Sequence, residues 1–211
     1  MVITYYGAEF FKLQLGDTII AVNPISKDSK LKPSKFGADI CLVTANHSDF
    51  NGVDQVTFGD KKPFVVDGPG EYEIKTIFIR GFASHSSHGG KDLLNTIYVL
   101  TLDGMTMCFL GALDTKELSP EIIEDLPDID ILFVPIGGKG MLTPPDAYKL
   151  SVSLESKLII PMYYAETDLK DALKTFLKEG GETVSPLDKL TIKKKDLEGK
   201  EGDIVVLAGA A

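Results

Sequence analysis

Every apolar run in this chain has the length of a β-strand, and most of them end abruptly in a polar loop. None approaches the roughly 18 apolar residues that a membrane-spanning helix needs. In the first half, Val2–Tyr6, Phe10–Leu15 and Thr18–Val22 are short β-rich runs broken at Gly7 and Gly16-Asp17, and 39–44 is a nearly continuous apolar run. Further strands are expected at Phe64–Val66, Tyr72–Ile74, Thr76–Gly81, Asn95–Leu102 and Met105–Leu110, the last two joined by the hairpin signal Asp103-Gly104. The second half alternates strand and helix. Ser119-Pro120-Glu121 has an N-cap, a proline at the first helical position and an acid in the first turn. Strand Ile131–Pro135, a helix over about 145–154, strand Lys157–Pro161 and a helix from Thr167 to Lys178 follow, with Gly180-Gly181 as the stop. In that last helix Leu169, Ala172, Leu173, Phe176 and Leu177 share one face. Two strands, Leu190–Lys193 and Asp203–Leu207, close the chain. The pattern predicts a single α/β domain over 1–211, with mixed sheets and helices outside them.

Composition limits the chemistry. The formal charge is −9, and so acidic a surface disfavours simple electrostatic binding of nucleic acid. There are three histidines, His47, His85 and His88, and two cysteines, Cys41 and Cys108, each inside an apolar run. Cysteine-cluster metal sites are thereby excluded, and two buried free thiols with no signal-peptide pattern predict a cytoplasmic protein with no membrane partner. The segment from Ser26 to Gly37, rich in Lys, Ser and Pro, is expected to be an irregular loop.

Polar loops after buried strands are where an α/β protein usually carries its site. Here they are Asn23-Pro24, Thr44–Asn51, Ser84–Gly90, Gly111–Thr115 and Tyr163-Tyr164. A Ser–His nucleophile pair within Ser84–His88 would need a third orienting group and an oxyanion hole, and a serine-rich loop is the simpler account. Gly137-Gly138-Lys139-Gly140 is not followed at once by a helix and reads as a turn. Lys193-Lys194-Lys195 reads as a solvated strand edge.

In chain order, Asn23-Pro24, Gly68-Pro69-Gly70-Glu71-Tyr72-Glu73-Ile74, Asn95–Val99 with Asp103-Gly104 and Phe109-Leu110-Gly111, Asp130–Gly138, and Pro161-Met162-Tyr163-Tyr164 form a recurring set of landmarks. Together they resemble the metallo-β-lactamase superfamily, in particular its small stand-alone metal-dependent hydrolases. The resemblance implies a four-layer αβ/βα sandwich with the site at one edge. It also implies a damaged metal centre. The family's HxHxDH loop falls on Ala45, His47, Asp49 and Phe50. The next histidine ligand falls on His85, with His88 as the alternative; the bridging aspartate falls on Ala112 and the final histidine on Tyr163.

A catalytic zinc needs about three protein ligands and an open position, and a two-ion site needs a second set and a bridge. Ala45, Phe50 and Ala112 offer no donor and Tyr163 only a phenol, so a two-ion hydrolase is not expected. What the resemblance then implies is a protein of this fold whose two-ion site is largely lost, non-catalytic or ligand-binding, with no cofactor and an unidentified small-molecule ligand. The alternative is a metal-dependent hydrolase of β-lactams, lactones, phosphoesters or RNA. It would hold one zinc, nickel, manganese or iron ion on His47, His85 and Asp49, with Asp49 as general base. Pairing with a second copy or an active homologue is a further option on which the sequence is silent.

Overall fold

The computed structural model describes residues 1–210. Thirteen strands and three α-helices succeed one another as β1 (Val2–Tyr5), β2 (Phe11–Leu15), β3 (Thr18–Val22), β4 (Ile40–Leu42), β5 (Phe64–Val66), β6 (Gly70–Ile74), β7 (Ile77–Ser86), β8 (Leu93–Leu102), β9 (Met105–Phe109), α1 (Pro120–Asp125), β10 (Ile131–Pro135), α2 (Pro144–Ser153), β11 (Leu158–Met162), α3 (Ala172–Glu179), β12 (Leu190–Thr191) and β13 (Asp203–Ile204). They form a six-stranded sheet of order β12-β1-β2-β3-β4-β5 and a seven-stranded sheet of order β13-β11-β10-β9-β8-β7-β6. Among the described residues, no helix is long and apolar enough to cross a membrane.

The period-two pattern of the strands sends alternate residues to two different cores. Between the sheets lie Ile3, Leu13, Val22, Tyr98, Phe109 and Phe133, among others. The opposite face of the seven-stranded sheet buries Ile97, Leu110, Leu132 and Val134 against Ile122 of α1, Leu150 of α2 and Phe176 of α3. Among the described residues the outer face of the six-stranded sheet has no α-helix, only the 3-10 turn Val53–Val56. Ala21, Cys41 and Val43 are covered there by Ile25, Ala38, Phe50 and Val56 from the loops after β3 and β4. The sandwich is therefore the expected one, with irregular chain as its fourth layer.

Two expected elements shift. The helix expected from Thr167 begins only at Ala172, because Asp171 is left-handed (φ 59°) and Thr167 closes a turn, donating from Oγ1 to the Gly137 carbonyl and accepting from the Leu169 amide. Leu169, counted on the apolar face, is outside the helix and 39% exposed. The Ser84–Gly90 loop is partly strand: Ser84, His85 and Ser86 pair with Asn95, Leu94 and Leu93. The tail strands are likewise shorter than their apolar runs.

The ends of β3, β4, β9, β10 and β11 share one edge of the sandwich, and the loops that follow them meet there.

Candidate metal centre

Two asparagines build the floor of this edge. Asn23, left-handed at φ 48°, donates from Nδ2 to Glu9 Oε2 (2.7 Å) and Thr44 Oγ1 (2.8 Å) and accepts the Thr44 amide on Oδ1 (2.8 Å). Asn95 donates to the Leu110 carbonyl and Ser84 Oγ, both at 2.8 Å, and accepts the Ala112 amide at 3.0 Å. Gly111 fits between them because it has no side chain. At φ 60° a Cβ would lie 2.4 Å from Asn95 Oδ1 and 2.7 Å from Thr44 Cβ.

On this floor, donor atoms of His47, Asp49 and His88 all lie within 4.8 Å of one another. Asp49 Oδ2 accepts from His88 Nε2 and from the Tyr163 hydroxyl, each at 3.0 Å, and lies 3.6 Å from His47 Nδ1. Its Oδ1 accepts from Ser29 Oγ at 2.5 Å. The imidazoles of His47 and His88 meet edge to face with centroids 4.6 Å apart, and Phe50 and Tyr163 pack against His88 at 5.1 and 5.3 Å.

The protonation states suit metal ligation. Burial opposes the charge of Asp49, but the hydrogen bonds from His88, Ser29 and Tyr163 and the neighbouring His47 outweigh it and hold the carboxyl at about 2. Burial, opposed in part by Asp49, keeps the His47 pKa below its ordinary value, so the ring favours its neutral form. Burial and then the charge of Asp49 push the Tyr163 phenol well above its usual range, so it remains a donor.

Of the residues singled out in the sequence, the structure brings together His47, Asp49 and His88. His85 is elsewhere. Strand β7 continues through it, and alternation along a strand turns it to the face opposite Ser86, where it is half exposed. Its Nδ1 lies 2.8 Å from Asp114 and its Nε2 2.7 Å from Asp92. Those two carboxylates hold it as a latch between two loops and raise its pKa above the ordinary histidine value. Asp114 also accepts from Ser87, so it too is committed away from the cluster. The structure thus brings the alternative, His88, and not His85, beside His47 and Asp49. Ala45, Phe50, Ala112 and Tyr163 are all buried, in one apolar cluster beside the histidines.

The donor set fits one divalent ion. The separations of 3.0 and 3.6 Å from Asp49 Oδ2 to the two imidazole nitrogens bracket the ~3.4 Å expected between tetrahedral ligands at about 2.1 Å from an ion. It does not fit two. Ala45, Phe50 and Ala112 carry no donor, the Tyr163 phenol stays protonated, and the Phe50 ring fills the space beside His88.

A model of the β-lactamase superfamily domain matches residues 2–163. The chain belongs to the metallo-β-lactamase superfamily. Within it, the chain is 27% identical over 197 residues to a metal-dependent hydrolase of Lysinibacillus sphaericus, covering 78% of this chain and 85% of that one. A Listeria innocua protein of the same description is 28% identical over 196 residues, with coverage of 78% and 85%. Among solved structures, a Thermotoga maritima protein assigned as a Zn-dependent hydrolase of the metallo-β-lactamase superfamily superposes with a TM-score of 0.78 at 28% identity, covering 98% of this chain and 97% of that one. Relatives of this metallo-β-lactamase-superfamily chain are therefore named for a metal, and the expectation of no cofactor finds no support in them.

Two residues at the site were not singled out in the sequence. Ser29 lies in the lysine-rich loop, and no spacing marks it as an Asp49 donor. Glu9 is fully buried with Oε1 unpaired, and its only legible signal was an acid between Ala8 and Phe10. Burial drives the Glu9 carboxyl up to about 8, against the hydrogen bond from Asn23. A carboxyl raised on folding contributes most to stability below its unfolded pKa near 4.5, and the contribution is lost as pH rises to about 8. Wild-type stability should therefore decline by up to about 1.4 kcal/mol per pH unit across this window from this group. In Glu9→Gln the decline should flatten; urea unfolding at several pH values from 5 to 9 measures it, and an unchanged slope would place the ionisation elsewhere.

Proposed function

We propose that this chain is a metal-dependent hydrolase of the one-ion kind, with His47, Asp49 and His88 as its metal ligands. The observation that carries the reading is the convergence of the three donors within 4.8 Å. Two imidazoles and a carboxylate are a set suited to zinc and to non-haem iron. A divalent ion there supplies Lewis acidity and makes water acidic enough to react at neutral pH.

The chain's own residues then have separable tasks. Ser29 and the Tyr163 hydroxyl fix the two oxygens of Asp49, the kind of outer support that orients a ligand. Phe50 and Tyr163 close the inner side against water. Access comes from a cleft of about 210 Å³ bordered by His88, Gly137, Lys139, Tyr163 and Thr167. Asp49, held as a metal ligand, is not the general base in this reading.

One observation favours a second reading, a ligand-binding protein without catalysis. Both oxygens of Asp49 are already satisfied by Ser29, Tyr163 and His88, so the cluster is closed without an ion. Elemental analysis separates the two. Protein purified without chelator should carry about one equivalent of zinc, iron, nickel or manganese. It should hydrolyse simple ester, lactone or phosphoester probes, and lose that activity with EDTA and in Asp49→Ala. A preparation that takes up no ion from added metal leaves the second reading standing. We infer a cytoplasmic location, which the buried, unpaired thiols of Cys41 and Cys108 support.

A further inference from the structure

The acidic balance of the whole chain conceals a basic loop that is tied to the site. Four lysines, Lys27, Lys30, Lys32 and Lys35, and a single acid, Asp28, fall between Ser26 and Phe36 in a chain of charge −9. All four are exposed. Elsewhere Lys61, Lys75, Lys116 and Lys157 each hold an aspartate, but these four hold no carboxylate among the described residues.

Their loop is fastened to the loop that carries His47 and Asp49. The Ser26 amide donates to the Ser48 carbonyl (2.9 Å), the Gly52 amide to the Pro24 carbonyl (2.7 Å), and Ser29 Oγ to Asp49 Oδ1 (2.5 Å). The approach at Gly52 is so close that a Cβ there would lie 2.4 Å from the Ile25 carbonyl oxygen. Ser29, two residues from Lys27 and adjacent to Lys30, therefore ties this run of lysines to the cluster itself.

We propose that this loop recognises a small, multiply charged oxyanion, a phosphate ester or a polycarboxylate, and delivers it to the site. The proposal rests on the cluster of His47, Asp49 and His88 being the functional centre. Lysines are strongly hydrated point charges on flexible stems; several on a loop tied to the site raise the local concentration of an anion without demanding one geometry. The small anion is favoured over a nucleic-acid strand because outside this segment acids outnumber bases, 30 to 18. A polymer crossing the remaining, strongly acidic surface would be repelled.

The test is calorimetric titration of the protein with inorganic pyrophosphate and, separately, with tricarballylate, at low and high salt, with bound metal measured before and after. The combined substitution Lys27→Gln, Lys30→Gln, Lys32→Gln and Lys35→Gln should weaken binding at least tenfold and remove most of its salt dependence. A control with Lys174→Gln, Lys178→Gln, Lys189→Gln and Lys195→Gln should bind as wild type does, with metal content equal in all three proteins. Preference for one titrant identifies the anion as phosphate or carboxylate. Absence of binding to wild type, equal weakening in both variants, or binding of a ten-nucleotide strand but of neither small anion would overturn the proposal. Uniformly absent metal alongside loop-dependent anion binding would sink the one-ion reading alone.

Discussion

Replacing His88 with alanine should lower the affinity for zinc or manganese by more than about a hundredfold, whereas His85→Ala should leave it within about tenfold. The loss of an outer partner alone typically costs roughly 10–100-fold, and His88 is proposed as a direct ligand. Without its ring, Asp49 and His47 are two donors where about three are needed. His85 is half exposed and committed to Asp92 and Asp114, so its removal loosens a surface latch and takes no atom from the cluster. Competition against a chromophoric chelator measures both affinities. Equal losses in the two variants would mean that the latch, three residues before His88, controls the ligand loop as strongly as the ligand itself.

Phe133→Ala should destabilise the fold by about 3–5 kcal/mol, the usual cost of removing a fully buried aromatic ring. Phe133 is at the centre of the inter-sheet core. It stacks on Phe109 with centroids 3.9 Å apart and an 11° tilt, and it meets Phe11 of the facing sheet edge-on at 4.9 Å. The cavity therefore opens between the two sheets, where both are already tied by hydrogen bonds and neither can collapse easily into it. A loss of this size lowers Tm by roughly 2–4 °C per kcal/mol in a chain of this length. Phe133→Leu, which retains most of the volume, should cost less than half as much. Denaturant unfolding of both variants at one pH measures the difference; equal costs would mean that ring stacking, and not volume, holds the sheets together.

The strands legible in the sequence were short apolar runs bounded closely by turn residues. Thr18–Val22, Phe64–Val66 and Ile131–Pro135 have their expected bounds. The Asp103-Gly104 turn was legible because its two positive φ values, 54° and 70°, select those residue types. Ser119 and Thr143 cap their helices with side-chain oxygens. Less legible were polar segments whose conformation is set by a distant partner. The start of α3 depends on Thr167 reaching the Gly137 carbonyl, thirty residues away. The extension of β7 depends on Leu93 and Leu94 pairing back onto Ser86 and His85.

The same distinction holds at the site. The superfamily, the sandwich and the scarcity of donors were legible from the chain alone, because these depend on local pattern and on residue identity. So was the placing of His47 and Asp49, which share one short loop. The choice between His85 and His88 came from the fold, since it turns on β7 running five residues past its expected end at Gly81, to Ser86, and so on where each ring falls. Only the tertiary structure joined Asp49 to Ser29, Tyr163 and His88, partners 20, 114 and 39 residues distant. Residue identity specifies which groups can donate or accept; which of them meet is decided by loops closing over long sequence separations, and that information is spread over the whole packed chain.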